Sequence, residues 1–127
     1  MGSRGAFLES GGFSTPAQWH TVDFVDGIKV LERKDPKASK SLPERSNTPG
    51  TSYLLLNPDG TFKQLRVFGE DRKPILDIDY GPHRGMVSLH AHKYENGERI
   101  SGDSVIIIKK GDHLYEKYKR LFKGVKM

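Results

Sequence analysis

Cysteine is absent from the sequence, and its absence excludes several classes of site at once. A chain without cysteine has no disulfide framework, no thiolate-ligated zinc finger and no cysteine nucleophile. Long apolar runs are absent as well: the longest aliphatic stretch is Val105–Ile108, whereas a membrane-spanning helix needs roughly 18 or more apolar residues. Residues 1–6 contain no apolar signal-peptide core. The sequence therefore predicts no membrane contact, and it leaves the location open between the cytoplasm and a virion.

Glycine and proline are plentiful, with 14 and 7 among 127 residues. Hydrophobic residues make up 35% and charged residues 29%, which is apolar enough for one modest core but too polar and turn-rich for a helical bundle. We expect a single domain over residues 14–127. The glycine-rich segment that precedes it, residues 1–13, is expected to be flexible.

Positive charge is concentrated at one end of the chain. Lys and Arg total 21 against 16 Asp and Glu, and the whole excess lies in residues 109–127. A basic patch attracts polyanions such as nucleic acid, although the same charges also fit the solvated face of a helix. The residues that we predict to contact nucleic acid are Lys63, Lys117, Lys119, Arg120 and Lys123.

From residue 51 onwards apolar residues alternate with polar ones, which is typical of β-strands. Turn sequences separate the strands, and among them Asn96-Gly97 is the strongest short signal for a hairpin. We predict four or five antiparallel strands in meander order between residues 53 and 109. Upstream, Thr15 and Pro16 predict the start of a short helix, and residues 34–50 a long loop.

The last predicted element is an amphipathic helix over residues 112–124, with Asp112 as its N-cap and Gly124 at its end. Its apolar residues recur at helical spacing and should pack on one side of the sheet. The expected fold is therefore α+β, with helices on one face of an antiparallel sheet. The apolar positions are Leu114, Tyr115, Tyr118, Leu121, Phe122 and Val125.

Two predicted strands carry residues with chemical potential. Strand alternation places Asp77 and Asp79 on one face of residues 75–80, and His90 and His92 on one face of residues 87–94. If the apolar faces both meet the core, these four residues share one surface, which we call the His/Asp surface and expect to face solvent. Side chains two positions apart originate roughly 6.6 Å from each other, close enough for two imidazoles to share a metal or a phosphate. The same pattern also fits an ordinary half-exposed sheet.

Four segments of the chain occur in a characteristic order: Asn57-Pro58-Asp59-Gly60, Leu76-Asp77-Ile78-Asp79-Tyr80, His83 and His90-Ala91-His92. Together they resemble a small bacterial and prophage domain found at the C-terminal ends of polymorphic toxins and phage head-morphogenesis proteins. The resemblance covers about residues 48–95 and implies a compact nuclease effector of the barnase, colicin and RelE-like class, which cuts RNA by acid–base chemistry, usually without a metal.

The leading hypothesis is therefore a metal-independent endoribonuclease without a cofactor. His90 and His92 would transfer protons, because histidine titrates near neutral pH. His83, in a glycine- and proline-rich turn, would position substrate or act as an acid, and Arg66 would clamp the phosphate. The two aspartates would orient an imidazole and fix its tautomer. If all four residues of the His/Asp surface converge, they would instead hold a divalent metal.

A non-catalytic function is the rival hypothesis. The domain would then be a prophage structural or adaptor module that binds a protein or a nucleic acid through its basic face. The sequence contains no complete catalytic signature such as a phosphate-binding glycine loop or a zinc-protease helix. RNA or another nucleic acid, an immunity protein and a phage protein are the partners that these hypotheses name.

Overall fold

One β-sheet dominates the protein in a computed structural model that describes residues 18–34, 42–83, 86–100 and 105–126. Within these ranges the chain forms eight strands, one short α-helix and a 3₁₀ turn. The strands are β1 Trp19–Val25, β2 Ile28–Arg33, β3 Ser52–Leu56, β4 Phe62–Phe68, β5 Pro74–His83, β6 Met86–Glu95, β7 Glu98–Arg99 and β8 Val105–Ile107. The helix α1 spans His113–Tyr118, and the 3₁₀ turn Lys119–Leu121 follows it directly.

Neighbours in the sheet follow the chain from β1 to β7, and β8 returns to pair with β6. Every pairing is antiparallel except that of β2 with β3, which is parallel. A mostly antiparallel sheet with a C-terminal helix confirms the broad α+β prediction. The predicted helix start at Thr15 and the predicted flexible segment, residues 1–13, lie outside the described residues.

The described residues between Ser52 and Ile107 form six strands, β3 to β8, against the four or five expected there. Upstream of that range, residues 19–33 add the hairpin β1–β2. Its turn, Asp26-Gly27, has both residues at positive φ, 51° and 77°. This is the backbone of the tight turn that suits the right-handed twist of a hairpin. The predicted hairpin at Asn96-Gly97 is confirmed, with φ values of 53° and 81° and Glu95 paired with Glu98.

Buried apolar side chains cover both faces of the sheet, because successive residues of a strand point to opposite sides. The buried residues of the first face, which we call the helix face, are Val30, Leu54, Phe62, Leu65, Ile78, Leu89, Ala91, Ile108, Leu121 and Phe122. Those of the second, which we call the loop face, are Trp19, Leu31, Leu42, Tyr53, Leu55 and Phe68. The sheet is therefore a central layer with buried apolar side chains on both faces, and not an amphipathic sheet with one solvent-exposed face.

The C-terminal helix is shorter than predicted, but its apolar side packs where the pattern placed it. Leu114 and Tyr118 contact the helix-face core, and Phe122 meets Phe62 edge to face with 5.0 Å between ring centroids. Burial of one such aromatic side chain contributes about 1.5–3 kcal/mol. The Asp112 carboxylate accepts the N–H of Lys109 and makes no side-chain cap. Among the described residues, no helix has the length and apolarity needed to cross a bilayer.

The loop from Leu42 to Gly50 covers part of the loop face. Leu42, Pro43 and Ser46 are buried, and Asn47 donates its backbone N–H to the hydroxyl of Tyr53 at 2.9 Å. Residues 35–41 of the predicted long loop lie outside the described residues. The segment from Leu42 onwards matters for function because its backbone carbonyls reach the polar residues described next.

Candidate functional site

Register places the polar residues of β4, β5 and β6 in two rows across the loop face. Asp77 is paired with Arg66 on one side and His92 on the other. In the second row, Asp79 of β5 is paired with His90 of β6. The four residues of the His/Asp surface therefore share one face, as strand alternation predicts. The expectation that this face is open to solvent was wrong, since Asp77 is 0% exposed and His90 only 4%.

In the first row, the guanidinium of Arg66 grips the carboxylate of Asp77. Nε donates to Oδ1 at 2.8 Å and Nη2 to Oδ2 at 3.0 Å, a bidentate pair. Nη1 donates to the carbonyls of Leu42 and Pro43, and the second N–H of Nη2 to the hydroxyl of Tyr94. All five N–H groups of Arg66 thus have partners within the protein.

Two further side chains complete the contacts of Asp77. Its Oδ2 also accepts the hydroxyl of Tyr94 and a guanidinium N–H of Arg99, each at 2.6 Å. Burial alone would raise the pKa of Asp77, but hydrogen bonds and the charge of Arg66, with further hydrogen bonds from Tyr94 and Arg99, outweigh burial and lower it. Burial raises the pKa of Tyr94 to about 12. At neutral pH the row holds an ionised carboxylate between two guanidinium groups.

In the second row, Asp79 faces two imidazoles. Its Oδ2 lies 3.8 Å from Nε2 of His90 and 3.6 Å from Nε2 of His92. The side chain of Asp79 is 23% exposed, that of His90 5% and that of His92 11%. One potential ligand atom from each residue lies within 4.8 Å of the others, so the three could hold a metal ion. We call Asp79, His90 and His92 the carboxylate–histidine triad.

The surroundings of the triad fix its chemistry. His90 Nδ1 lies 3.0 Å from the carbonyl oxygen of Ser88. Because a carbonyl can only accept, Nδ1 donates this hydrogen bond, and in the neutral imidazole Nε2 is then the nitrogen that carries a lone pair. Burial, followed by the charge of Asp77, raises the pKa of Asp79 to about 6. Its Oδ1 is buried and has no hydrogen-bond partner among the described residues.

These contacts redistribute the roles suggested by the sequence. Arg66 does not fit the role of phosphate clamp, because each of its N–H groups already has an acceptor inside the protein. Asp77 does not orient an imidazole, because its oxygens accept from Arg66, Tyr94 and Arg99. Of the two aspartates, Asp79 is the one that lies beside both imidazoles, so the predicted four-residue metal set is reduced to three. His83 ends β5 opposite Met86, and its side chain lies outside the described residues.

Arg99 is the residue that sequence reasoning missed. Its guanidinium donates to Asp77 and lies 3.9 Å from Oδ2 of Asp79, while 41% of its side chain is exposed. It is therefore a cation beside the triad that a ligand could reach. The Asn96-Gly97 turn supplied a signal for it, because a two-residue hairpin loop pairs Tyr94 with Arg99.

The predicted nucleic-acid contacts lie elsewhere on the molecule. Lys117, Lys119, Arg120 and Lys123 are exposed on the C-terminal segment, which packs on the helix face. The sheet therefore separates them from the carboxylate–histidine triad on the loop face. Lys119 is paired with Glu116 at 3.1 Å and Arg120 with Asp26 at 3.6 Å, whereas Lys63 is exposed on β4.

No family model matches this chain, and neither the curated proteins nor the solved structures contain a match. The resemblance to prophage and toxin domains stays a prediction that rests on its sequence segments.

Proposed function

We propose that the chain is a small toxin-like phosphodiesterase of phage or prophage origin that cleaves RNA at the carboxylate–histidine triad. One observation carries the proposal: the Nε2 atoms of His90 and His92 both lie within 4 Å of one carboxylate oxygen of Asp79. Arg99, half exposed, lies beside the same oxygen. Two proton-transfer groups next to a reachable cation are what cleavage of an RNA phosphodiester requires.

The two imidazoles divide the work of proton transfer. His90 acts as the base that takes the 2′-hydroxyl proton, since the Ser88 carbonyl fixes the tautomer in which Nε2 is unprotonated. His92 acts as the acid that protonates the leaving oxygen. Arg99 takes over the part assigned to Arg66 and neutralises charge on the phosphate. Arg66 and Asp77 hold Tyr94 and Arg99 in position. Arg66 donates a hydrogen bond to the Tyr94 hydroxyl, and Asp77 accepts one from Arg99.

The scaffold proposed for this activity is the antiparallel meander β3 to β6 with the C-terminal helix, within one domain over residues 14–127. The contacts between β4, β5 and β6 align the triad, and α1 closes the helix face behind it. A cell that makes such a ribonuclease needs protection from it. An immunity protein that covers the loop face near Arg99 is therefore the expected protein partner.

Cleavage of labelled RNA by the purified chain tests the proposal. Wild-type protein should cut, and His92→Gln should reduce the rate by roughly 10² to 10⁴, the usual contribution of a proton-transfer group. His113→Gln is the matched control, because His113 is exposed on α1. Thermal melts show whether each variant is folded. Wild-type protein that cleaves no RNA, with or without divalent ions, would refute the proposal.

A non-catalytic adaptor module is the second candidate, and the placement of its exposed residues favours it. The basic residues of the C-terminal segment are separated by the sheet from the triad, so they would form a binding surface of their own. On β1, Val22 and Phe24 are 48% and 59% exposed. Wild-type protein that binds RNA through the basic segment but never cleaves it would support the adaptor.

A further inference from the structure

We infer that the carboxylate–histidine triad binds one divalent transition-metal ion, with Zn²⁺ as the reference ion. The inference deepens the proposed function: it rests on that function for the use of the ion in catalysis but not for its binding. Because an imidazole nitrogen that binds an ion cannot also carry a proton, an ion bound at both Nε2 atoms would take over the activation of the attacking group from His90 and His92. Two imidazoles and one carboxylate are a donor set that suits zinc and related first-row ions. Asp79, His90 and His92 supply that set from two adjacent strands.

Distances support the inference. Bonds of 2.0–2.1 Å in a tetrahedral site place neighbouring ligand atoms about 3.3 Å apart. In the structure, Oδ2 of Asp79 lies 3.8 Å from Nε2 of His90 and 3.6 Å from Nε2 of His92. Small side-chain rotations would bring these atoms to binding distance. The backbone register that pairs Asp79 with His90 already holds them on one face.

The partners of the ligand atoms form a second, independent observation. Oδ1 of Asp79 is buried without a hydrogen-bond partner among the described residues, a costly arrangement for a carboxylate oxygen. A cation at the triad that both carboxylate oxygens of Asp79 bind would provide that partner. His90 is tethered through Nδ1 to the Ser88 carbonyl. Metal-binding histidines are typically held in this way, with the second ring nitrogen donating to a carbonyl or carboxylate.

Charge balance also favours an ion. The carboxylate of Asp79 stands between the two imidazoles, where it would repel an approaching phosphate. A divalent cation reverses the sign of the charge there, and Arg99 keeps its hydrogen bond to Asp77. Three protein ligands leave at least one position for water or a phosphate oxygen, as in catalytic zinc sites.

Binding of ZnCl₂ to untagged, chelator-treated protein tests the inference by calorimetry, and Co²⁺ absorption spectra report the ligand geometry. We expect one ion per chain, a raised melting temperature with Zn²⁺, and at least a tenfold loss of affinity in Asp79→Asn and in His92→Gln. His113→Gln, which changes an exposed histidine on α1, should bind as wild type does. Asp79→Asn keeps the shape of the side chain, so its melt should remain cooperative.

The inference is overturned if wild-type protein binds no ion, if both triad variants bind as tightly as wild type, or if His113→Gln removes binding. Failure of the proposed function gives a different pattern. Protein that binds one ion at the triad but cleaves no RNA keeps the metal site and refutes the ribonuclease. Cleavage that persists in excess chelator, by protein that binds no ion, keeps the ribonuclease and refutes the metal site.

Discussion

Asp77 and Asp79 lie two positions apart on β5 and point to the same face, yet the protein gives their carboxylates opposite environments. Asp77 is surrounded by Arg66, Tyr94 and Arg99, and its pKa is lowered. Asp79 lies beside two imidazoles, and burial, followed by the negative charge of Asp77, raises its pKa to about 6. The carboxylate of Asp77 therefore stabilises the fold, while that of Asp79 remains able to bind a ligand or take part in a reaction.

The first prediction concerns the buried pair. Arg66→Met should lower the free energy of unfolding by about 3–5 kcal/mol, because it leaves Asp77 as a buried charge without its bidentate partner. Lys63→Met removes a positive charge from an exposed position of the same strand and should change stability by less than about 0.5 kcal/mol. Urea unfolding measures both. Equal losses in the two variants would show that Arg66 has no special structural role.

The second prediction concerns Arg99. Arg99→Gln should reduce RNA cleavage by roughly 10² to 10³, the usual cost of removing one donor to developing charge. Arg99→Gln should lower the free energy of unfolding much less than Arg66→Met does, because Asp77 keeps its two hydrogen bonds from the guanidinium of Arg66. Arg120→Gln removes an exposed arginine on the opposite side of the sheet and is the matched control. Both variants are assayed at saturating RNA, because Arg120 is itself a predicted RNA contact. An unchanged cleavage rate in Arg99→Gln would remove Arg99 from the site.

Local sequence patterns predicted much of the fold and of the placement of the site. The Asn96-Gly97 hairpin, the shared face of Asp77, Asp79, His90 and His92, and the apolar side of the C-terminal segment all follow from turn chemistry and strand or helix periodicity. Such features depend on neighbours within a few residues. The Asp26-Gly27 turn carries the same kind of signal as Asn96-Gly97, and the hairpin β1–β2 could have been predicted from it.

Tertiary contacts determined the rest. Period-two alternation separates two faces of a strand but does not say which face is buried, and here both are. Arg66 is fixed by the carbonyl of Leu42, 24 positions away in the chain, a contact that no local pattern reveals. For this reason the sequence assigned Arg66 to phosphate binding and overlooked Arg99.

The third prediction compares two glycines that have similar backbone angles. Gly27 has a φ of 77° with nothing within 4 Å of an added Cβ, whereas Gly124, at 81°, would place that Cβ 2.5 Å from Cγ2 of Thr61. Gly27→Ala should lower the free energy of unfolding by about 1–2 kcal/mol, which is the cost of a left-handed backbone conformation at a residue with a Cβ. Gly124→Ala should lower the free energy of unfolding by the same amount and by a further amount of about 1–3 kcal/mol, because the added methyl group overpacks against Thr61. Chemical denaturation of both variants measures the difference, and equal costs would contradict the packing of the C-terminal segment against Thr61.

The last prediction concerns the basic segment. Replacing Lys117, Lys119, Arg120 and Lys123 by glutamine should flatten the salt dependence of RNA binding, with a slope smaller by about 0.7 for each phosphate of a single strand that is no longer neutralised. Because the sheet separates these residues from the triad, the cleavage rate of saturating RNA should remain unchanged. Fluorescence titrations at several salt concentrations, together with single-turnover cleavage, measure the two effects separately. An unchanged slope would make the segment a solvated helix face, while a slower single-turnover step would mean that it reaches the reaction centre despite lying across the sheet.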